Sequence, residues 1–444
     1  MLPIVTEVQG GTHRLFYIKT DKFKYSSITV FLCVPEKFRN VAYETLLLAV
    51  LQRGTKKHNN LCLINRYLDN LYSMEVSTRR YSVSDNCFIG VTCEFLDKKY
   101  VPEHHALESE ALDFSFELLF EPLFDDVTGC FLEKYVENEK ISIINSLNAQ
   151  KNSTRSYASL RCRELLCHGE AGQTDLSELI KQISEISSEE LTEYYHAVTD
   201  MPNLLCFYIG NDPDAAKISF EKNIESKLDN FNPLPKRLNL RRYALPEKIK
   251  RESEKMRVSQ CKLSVGYRTD IKADDGNDVY AMQVLCELFG GGPSSRLFTV
   301  VREKLGLCYY CSASYSMYSG ILMVNSGIYS HNREQAERQI DAELKAVSEG
   351  EITENEINAA KLSLKFSYTQ IADSTASIEN FYFWRALTMP GVSADDVING
   401  IMSVTAEDIK RVAKHIKKGA VFFIEATEES DATDAPSGDD DYSG

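Results

Sequence analysis

The sequence predicts an α+β protein of two homologous domains, each an antiparallel β-sheet with helices packed mainly on one face. Three observations predict it. The chain has 444 residues, enough for more than one core. An ordered series of elements occurs twice, with a period far longer than that of a solenoid. Both copies also close on the same pair of signals, a capping box followed by an apolar strand.

The first copy begins with SSITVFLCVP, which reads as a strand, followed by the apolar helix NVAYETLLLAVLQ, which halts at Gly54-Thr55. In the second copy, QCKLSVGYRTDI is the strand and DVYAMQVLCELF the helix, which halts at Gly290, Gly291 and Gly292. A second helix follows in each, LCLINRYLDNLY and SSRLFTVVREKLG, and after it an alternating hairpin. Ser187 with Glu190, and Thr405 with Asp408, are spaced as capping boxes ahead of short amphipathic helices. The apolar strands NLLCFYIGN and GAVFFIEAT close the two copies. Between them, a segment with three prolines and dense charge reads as a linker. The expected layout is a first domain over 1–229, a linker over 230–256, a second domain over 257–426 and an acidic tail over 427–444. That tail carries seven acids and no base, a composition that cannot bury a core.

Net charge is −15, from 50 Lys+Arg against 65 Asp+Glu, with no basic cluster. This argues against nucleic acid or an anionic membrane as partner. The apolar run near Leu46–Leu51 falls well short of the ~20 residues that span a bilayer. The first residues lack the basic and apolar regions of a signal peptide, so the expected location is the cytoplasm. Twelve dispersed cysteines fit free thiols in that compartment. Cys308-Tyr-Tyr-Cys311 lies in an alternating segment, with Tyr309, Cys311 and Ala313 on one face, whereas a redox CxxC opens a helix. His104-His105 reads as solvated surface, and CRELLCH as a helix with buried thiols.

The stretch GGGPSSRLFTVVREKLGLCYY carries the most chemistry. Its glycines end a helix rather than follow a strand, and no GxxxxGK[ST] is present, so a phosphate loop is not indicated. With Ser294 as N-cap, one helix runs to Gly306 and places Arg302 in its last turn, where a cation suits the helix dipole. Tyr309 follows on a returning strand. A guanidinium and a phenol are both donors that need no deprotonation, and together they can polarise a carbonyl.

These residues resemble the M16 metallopeptidases, the family of insulinase and the mitochondrial processing peptidase. SEGEITENEINAAKLSL and VTAEDIKRVAKHI are similar to the family's later helices, and the resemblance runs from about Val8 to Phe423, more specifically in the second half. It implies the two-domain LuxS/MPP-like fold. Active members carry HxxEH on the first long helix before a Lys-Gly-Thr-like turn, and a distant glutamate completes the zinc site. Arg53-Gly54-Thr55 fixes the register here, so the resemblance puts Thr45 and Ala49 at the two His positions and Leu48 at the base. Asn145 or Ser146 stands where the third ligand belongs. The resemblance therefore implies a chain with no metal of its own.

The family's Arg/Tyr pair corresponds to Arg302 and Tyr309, beside a substrate loop of Gly290, Gly291, Gly292, Ser294 and Ser295. This combination is most similar to the YmfF-like branch, whose labelling by elongation factor P modification finds no support in these residues. It implies a non-catalytic subunit that grips unfolded peptide for a zinc-bearing homologue in a heterodimer, with Zn²⁺ held by that partner. The competing expectations are a purely scaffolding subunit and a self-sufficient metallopeptidase with a displaced site.

Overall fold

The computed structural model describes residues 5–9, 13–83, 86–102, 107–170, 173–200, 202–227 and 237–427. The acidic tail beyond Thr427, residues 230–236 of the expected linker and His104-His105 lie outside them. In chain order the elements are β1 (Val5–Gln9), β2 (His13–Lys19), β3 (Tyr25–Val34), α1 (Val41–Leu51), α2 (Leu61–Asn70), β4 (Glu75–Val83), β5 (Asn86–Leu96), α3 (Leu107–Phe120) and α4 (Glu133–Ala149). Next come α5 (Thr154–Cys167), α6 (Leu176–Glu185), α7 (Ser188–Thr199), β6 (Leu204–Gly210), α8 (Pro213–Lys227), β7 (Lys250–Met256), β8 (Cys261–Arg268) and α9 (Asn277–Cys286). The chain continues through β9 (Cys308–Ser316), β10 (Ile321–Ile328), α10 (Arg333–Glu349), α11 (Glu354–Gln370), α12 (Thr375–Thr388), α13 (Ala394–Ser403), α14 (Ala406–Ala413) and β11 (Lys417–Ala426).

The chain folds as two compact units. The described residues within 1–148, 170–241 and 366–397 form the first, and those within 149–169, 242–365 and 398–427 the second. The first holds a six-stranded sheet ordered β1-β2-β6-β3-β5-β4. One face, with Ile28, Val30 and Leu32, packs into a core shared with α1, α3 and α7. The other face is covered by α12, whose Phe383 ring sits 4.9 Å from Phe31 and 5.3 Å from Phe88.

The second unit holds a five-stranded sheet ordered β7-β11-β8-β10-β9. Its counterpart of α12 is α5, a helix from the first half of the chain. Gly266 makes room for α5, since a Cβ there would stand 3.3 Å from Cys162 Sγ and Leu166 Cδ2. Cys162 and Cys167 are buried thiols, as CRELLCH suggests.

Both repeats are thus present, with refinements that tertiary context supplies. Each sheet is antiparallel but for one parallel pair, β2 with β6 and β7 with β11. Helices pack mainly on one face of each sheet, and a single helix, α12 in the first unit and α5 in the second, covers the other. The end of the proline-rich segment becomes β7, whose KRESEKM is an edge strand kept soluble by charge. Both capping boxes form: Ser187 Oγ accepts from the Glu190 amide, and Thr405 Oγ1 from that of Asp408. Among the described residues, no helix is long and apolar enough to cross a membrane.

Candidate functional site

Helix α1 starts at Asn40, whose side chain accepts from the Ala42 amide at 2.9 Å. Its body is buried on nearly every side: Leu46, Leu47, Leu48, Val50 and Leu51 all lie in the core. Thr45 is half-buried, and its hydroxyl donates to the Val41 carbonyl at 2.7 Å, a bond within its own helix. Ala49 offers no donor atom, and Asn145 and Ser146 are exposed on α4. Zinc needs nitrogen, thiolate or carboxylate ligands, so these residues do not fit it.

Acids do stand near α1, yet each already has a partner. Glu44 is buried and pairs with Arg80 at 2.5 Å. Glu139 of α4 forms an ion pair with Arg53. Glu117 accepts from Thr55 Oγ1 and lies 2.7 Å from His58 Nδ1. Arg53-Gly54-Thr55 is therefore a clamp between the end of α1 and its neighbours α3 and α4. Among the described residues, no group of three or more His, Cys, Asp or Glu is placed to hold a metal.

In the second unit, α9 runs into a π-helical turn at Glu287–Gly291, where Gly290 leaves helical geometry at φ −156° and ψ 17°. A Cβ at Gly290 would meet the Ala313 Cβ and backbone nitrogen at 2.6 Å, so this glycine lets the turn press onto β9. Gly291 backs onto the Glu287 carboxylate, and Gly292 is open. The following helix is shorter and wider than expected, a π-helix over Leu297–Lys304. Ser295, not Ser294, caps it: Ser295 Oγ accepts from the Phe298 amide at 3.4 Å, and Ser295 is buried while Ser294 is exposed.

Arg302 stands in the last turn, with its guanidinium 4.6 Å from the Phe298 ring centroid and 3.4 Å from the Glu303 carboxylate. The helix closes on Gly306, at φ +60°, a conformation glycine adopts without strain. Tyr309 is 72% exposed. No hydrogen bond joins Arg302 and Tyr309; they occupy consecutive elements, and both are open to solvent.

Strict alternation along β9 fails at Tyr309. Cys308 pairs with Ile328 and Tyr310 with Gly327, leaving Tyr309 as the extra residue of a β-bulge. The bulge turns Tyr309 outward and puts Cys308 beside Cys311, both buried. The thiols interact: hydrogen bonding to Cys311, aided by Ser326 and Arg302, holds Cys308 below the usual thiol range, while Cys311 is pushed up. Sequence alone does not show a bulge, because it arises from register with β10.

A leucine-filled first helix, with no zinc ligand at Thr45, Leu48 or Ala49, and an outward-facing Arg/Tyr segment are the features expected of a two-domain peptidase relative that lacks the family's metal ligands. Residues 185–364 match the description of the peptidase M16 inactive domain. The chain is 29% identical over 412 residues to the "probable inactive metalloprotease YmfF" of Bacillus subtilis, covering 93% of this chain and 95% of that one. It is 23% identical over 365 residues to the "uncharacterized zinc protease YmxG" of the same organism, covering 80% and 85%.

Among solved structures, a conserved protein of Enterococcus faecalis superposes with a TM-score of 0.84 at 25% identity, covering 97% of this chain and 100% of that one. The M16 inactive domain of Pseudomonas fluorescens superposes with a TM-score of 0.75 at 18% identity, covering 95% and 98%. The chain is thus similar to the M16 peptidases over most of its length, and in particular to a relative described as a probable inactive metalloprotease.

Proposed function

We propose that this chain is the non-catalytic half of a heterodimeric peptidase. In this reading it binds extended, unfolded peptide along β9 and positions it with Arg302 and Tyr309 for a zinc-bearing M16 homologue. The observation that carries the reading is the contrast within the chain: the helix that would hold metal is packed with leucine, while the Arg/Tyr pair is left open. The partner's zinc and water supply the nucleophile, and the two donors take up charge developing on the scissile carbonyl oxygen.

The outer edge of β9 supports the same reading. It is a sheet edge whose sequence, CYYCSASYS, carries no charge, whereas the opposite edge, β7, is mostly Lys, Arg and Glu. Uncharged edges invite another strand, and an extended peptide is such a strand. In this reading the loop of Gly290, Gly291, Gly292, Ser294 and Ser295, which presses onto β9 through Gly290, borders the bound peptide.

In the reconstituted pair, Arg302→Ala should lower turnover of an unfolded peptide by about a hundredfold and Tyr309→Phe by about tenfold. The zinc content of the partner should not change. Turnover unaffected by both substitutions would leave only a scaffolding role.

A further inference from the structure

On the sheet face shared with α5, Lys262, Gly327 and Tyr310 stand in one row across β8, β10 and β9, and Ser264, Asn325 and Ser312 form the next. Gly327 leaves the row without a central side chain, and the Gln260 amide and the Tyr310 ring lean over it, since a Cβ there would come within about 2.5 Å of Gln260 Oε1 and of Tyr310 Cε1. Arg155, at the start of α5, sets its guanidinium 4.3 Å from the Tyr310 ring centroid and donates to Ser312 Oγ at 3.1 Å. Lys262 Nζ stands 5.6 Å from the same centroid and donates to Gln260 Oε1 at 2.9 Å. In the second row Ser264 Oγ donates to Asn325 Oδ1 at 2.7 Å, which leaves the Asn325 amide nitrogen as a donor without an acceptor among the described residues.

The cluster is rich in donors and lacks an acid. Acids outnumber bases in this chain, 65 to 50, and Arg161, further along α5, pairs with both Glu164 and Glu252. Arg155 and Lys262 have no carboxylate within ion-pair distance among the described residues. Burial, and the neighbouring Arg155 charge, hold the Lys262 ammonium below its usual range. Two cations kept together without a counter-ion repel each other, and an anion between them relieves that cost.

We propose that Arg155, Lys262, Asn325 and Ser312 form a cradle for a carboxylate of the bound peptide. The inference rests on the peptide-binding reading above. Tyr310 and Ser312, two residues apart, share this face of β9, whose outer edge has no strand partner among the described residues. A peptide added to that edge presents every second side chain, or its own terminus, to this face. A guanidinium with hydroxyl and amide donors suits the two oxygens of a carboxylate.

Calorimetric titration of the full chain with one neutral, unstructured peptide tests this. The peptide is used as its C-terminal acid, as its amide, and as the amide with an internal Asp, with inorganic phosphate as a separate probe. At least one carboxylate-bearing form should bind about tenfold more tightly than the plain amide, and which one does so identifies the terminus or the side chain. Lys262→Gln and Arg155→Gln should remove the preference without changing affinity for the amide, and Arg155→Lys should retain part of it. Equal affinity for all three forms in the unmodified chain overturns the cradle and leaves the peptide reading standing. Phosphate binding that depends on Lys262, with no peptide form binding, overturns the peptide as the source of the anion. No binding of any probe sinks both.

Discussion

The two units share a plan, but the surroundings of α1 in the first and of β9 in the second treat their polar groups in opposite ways. Around α1, Glu44 closes on Arg80, Glu117 on Thr55 and His58, and Glu139 on Arg53. Every charge there is used to hold the fold. Around β9, Arg155 of α5 and Lys262 of β8 have no carboxylate partner among the described residues, Arg302 has only its exposed neighbour Glu303 among them, and the Tyr309 phenol is open to solvent. The lesson is that the presence of acids and histidines near a former metal helix says little about chemistry. Whether they are already committed says much more.

The largest expected effect breaks this contrast at α1. Leu48→Glu restores the residue type of the family's base but buries a carboxyl in a core where Leu48 is 5% exposed. Without a partner that burial costs on the order of 4 kcal/mol. Tyr309→Ala, at 72% exposure, should change stability by no more than about 0.5 kcal/mol. Urea unfolding of the two variants measures both. A loss below about 1 kcal/mol for Leu48→Glu would mean that α1 is not the closed helix described here.

Much of the plan was legible because it rests on local chemistry. Capping boxes at Ser187 and Thr405 need only a hydroxyl and an acid at fixed spacing, and both form as read. The periodic strands β3, β6, β8 and β11 likewise carry their apolar faces in sequence. What could not be read depends on partners distant in the chain. The pattern of α5 and α12 marks them as helices but not which sheet each covers, since that is decided by pairings such as Gly266 beneath Cys162 and Phe383 against Phe31. Arg302 and Tyr309 were found at outward positions, whereas the bulge that turns Tyr309 outward comes from register with Gly327 and Ile328. Ser295 rather than Ser294 caps the π-helix because the wide turn at Glu287–Gly291 shifts the start of the next helix, a conformation with no local signature.

A second prediction sharpens the contrast inside the first unit. Glu379 of α12 is buried against the sheet, where it accepts from Thr29 Oγ1, sits 3.8 Å from Arg79 and shares its surroundings with Glu94. Burial raises its carboxyl to about 7, against the pull of Thr29 and Arg79. The native state therefore holds a proton that the unfolded chain has already released above the ordinary carboxylate range. Stability contributed at this position should fall as pH rises from about 4.5 to about 7 and level off above it. The difference is up to ~3 kcal/mol. Glu379→Gln keeps a side chain able to bond Thr29 and removes the titration. Trp384, the only tryptophan, lies on the same helix and reports its release. The stability difference between the two proteins, followed by Trp384 fluorescence in urea at pH 5 and pH 8, should change in favour of the variant at the higher pH. A difference that does not vary with pH would place the proton elsewhere.

The smallest effect separates positions within the glycine run itself. At Gly290 an added methyl meets the Ala313 backbone nitrogen and Cβ at 2.6 Å, and a strand backbone hydrogen-bonded to β10 cannot retreat as a flexible side chain can. Gly290→Ala should therefore cost about 2 kcal/mol by overpacking. At Gly292 the nearest atom is a Glu287 carboxylate oxygen at 3.5 Å, so Gly292→Ala should cost less than about 0.5 kcal/mol. If the run serves only to end α9, neither position has a special need for close approach and the two costs should be alike. If Gly290 seats the turn on β9, as the geometry requires, its alanine variant alone should disturb the strand that carries Tyr309. Amide exchange along β9 should then rise in Gly290→Ala and not in Gly292→Ala, which links the glycine to the open wall rather than to the helix before it.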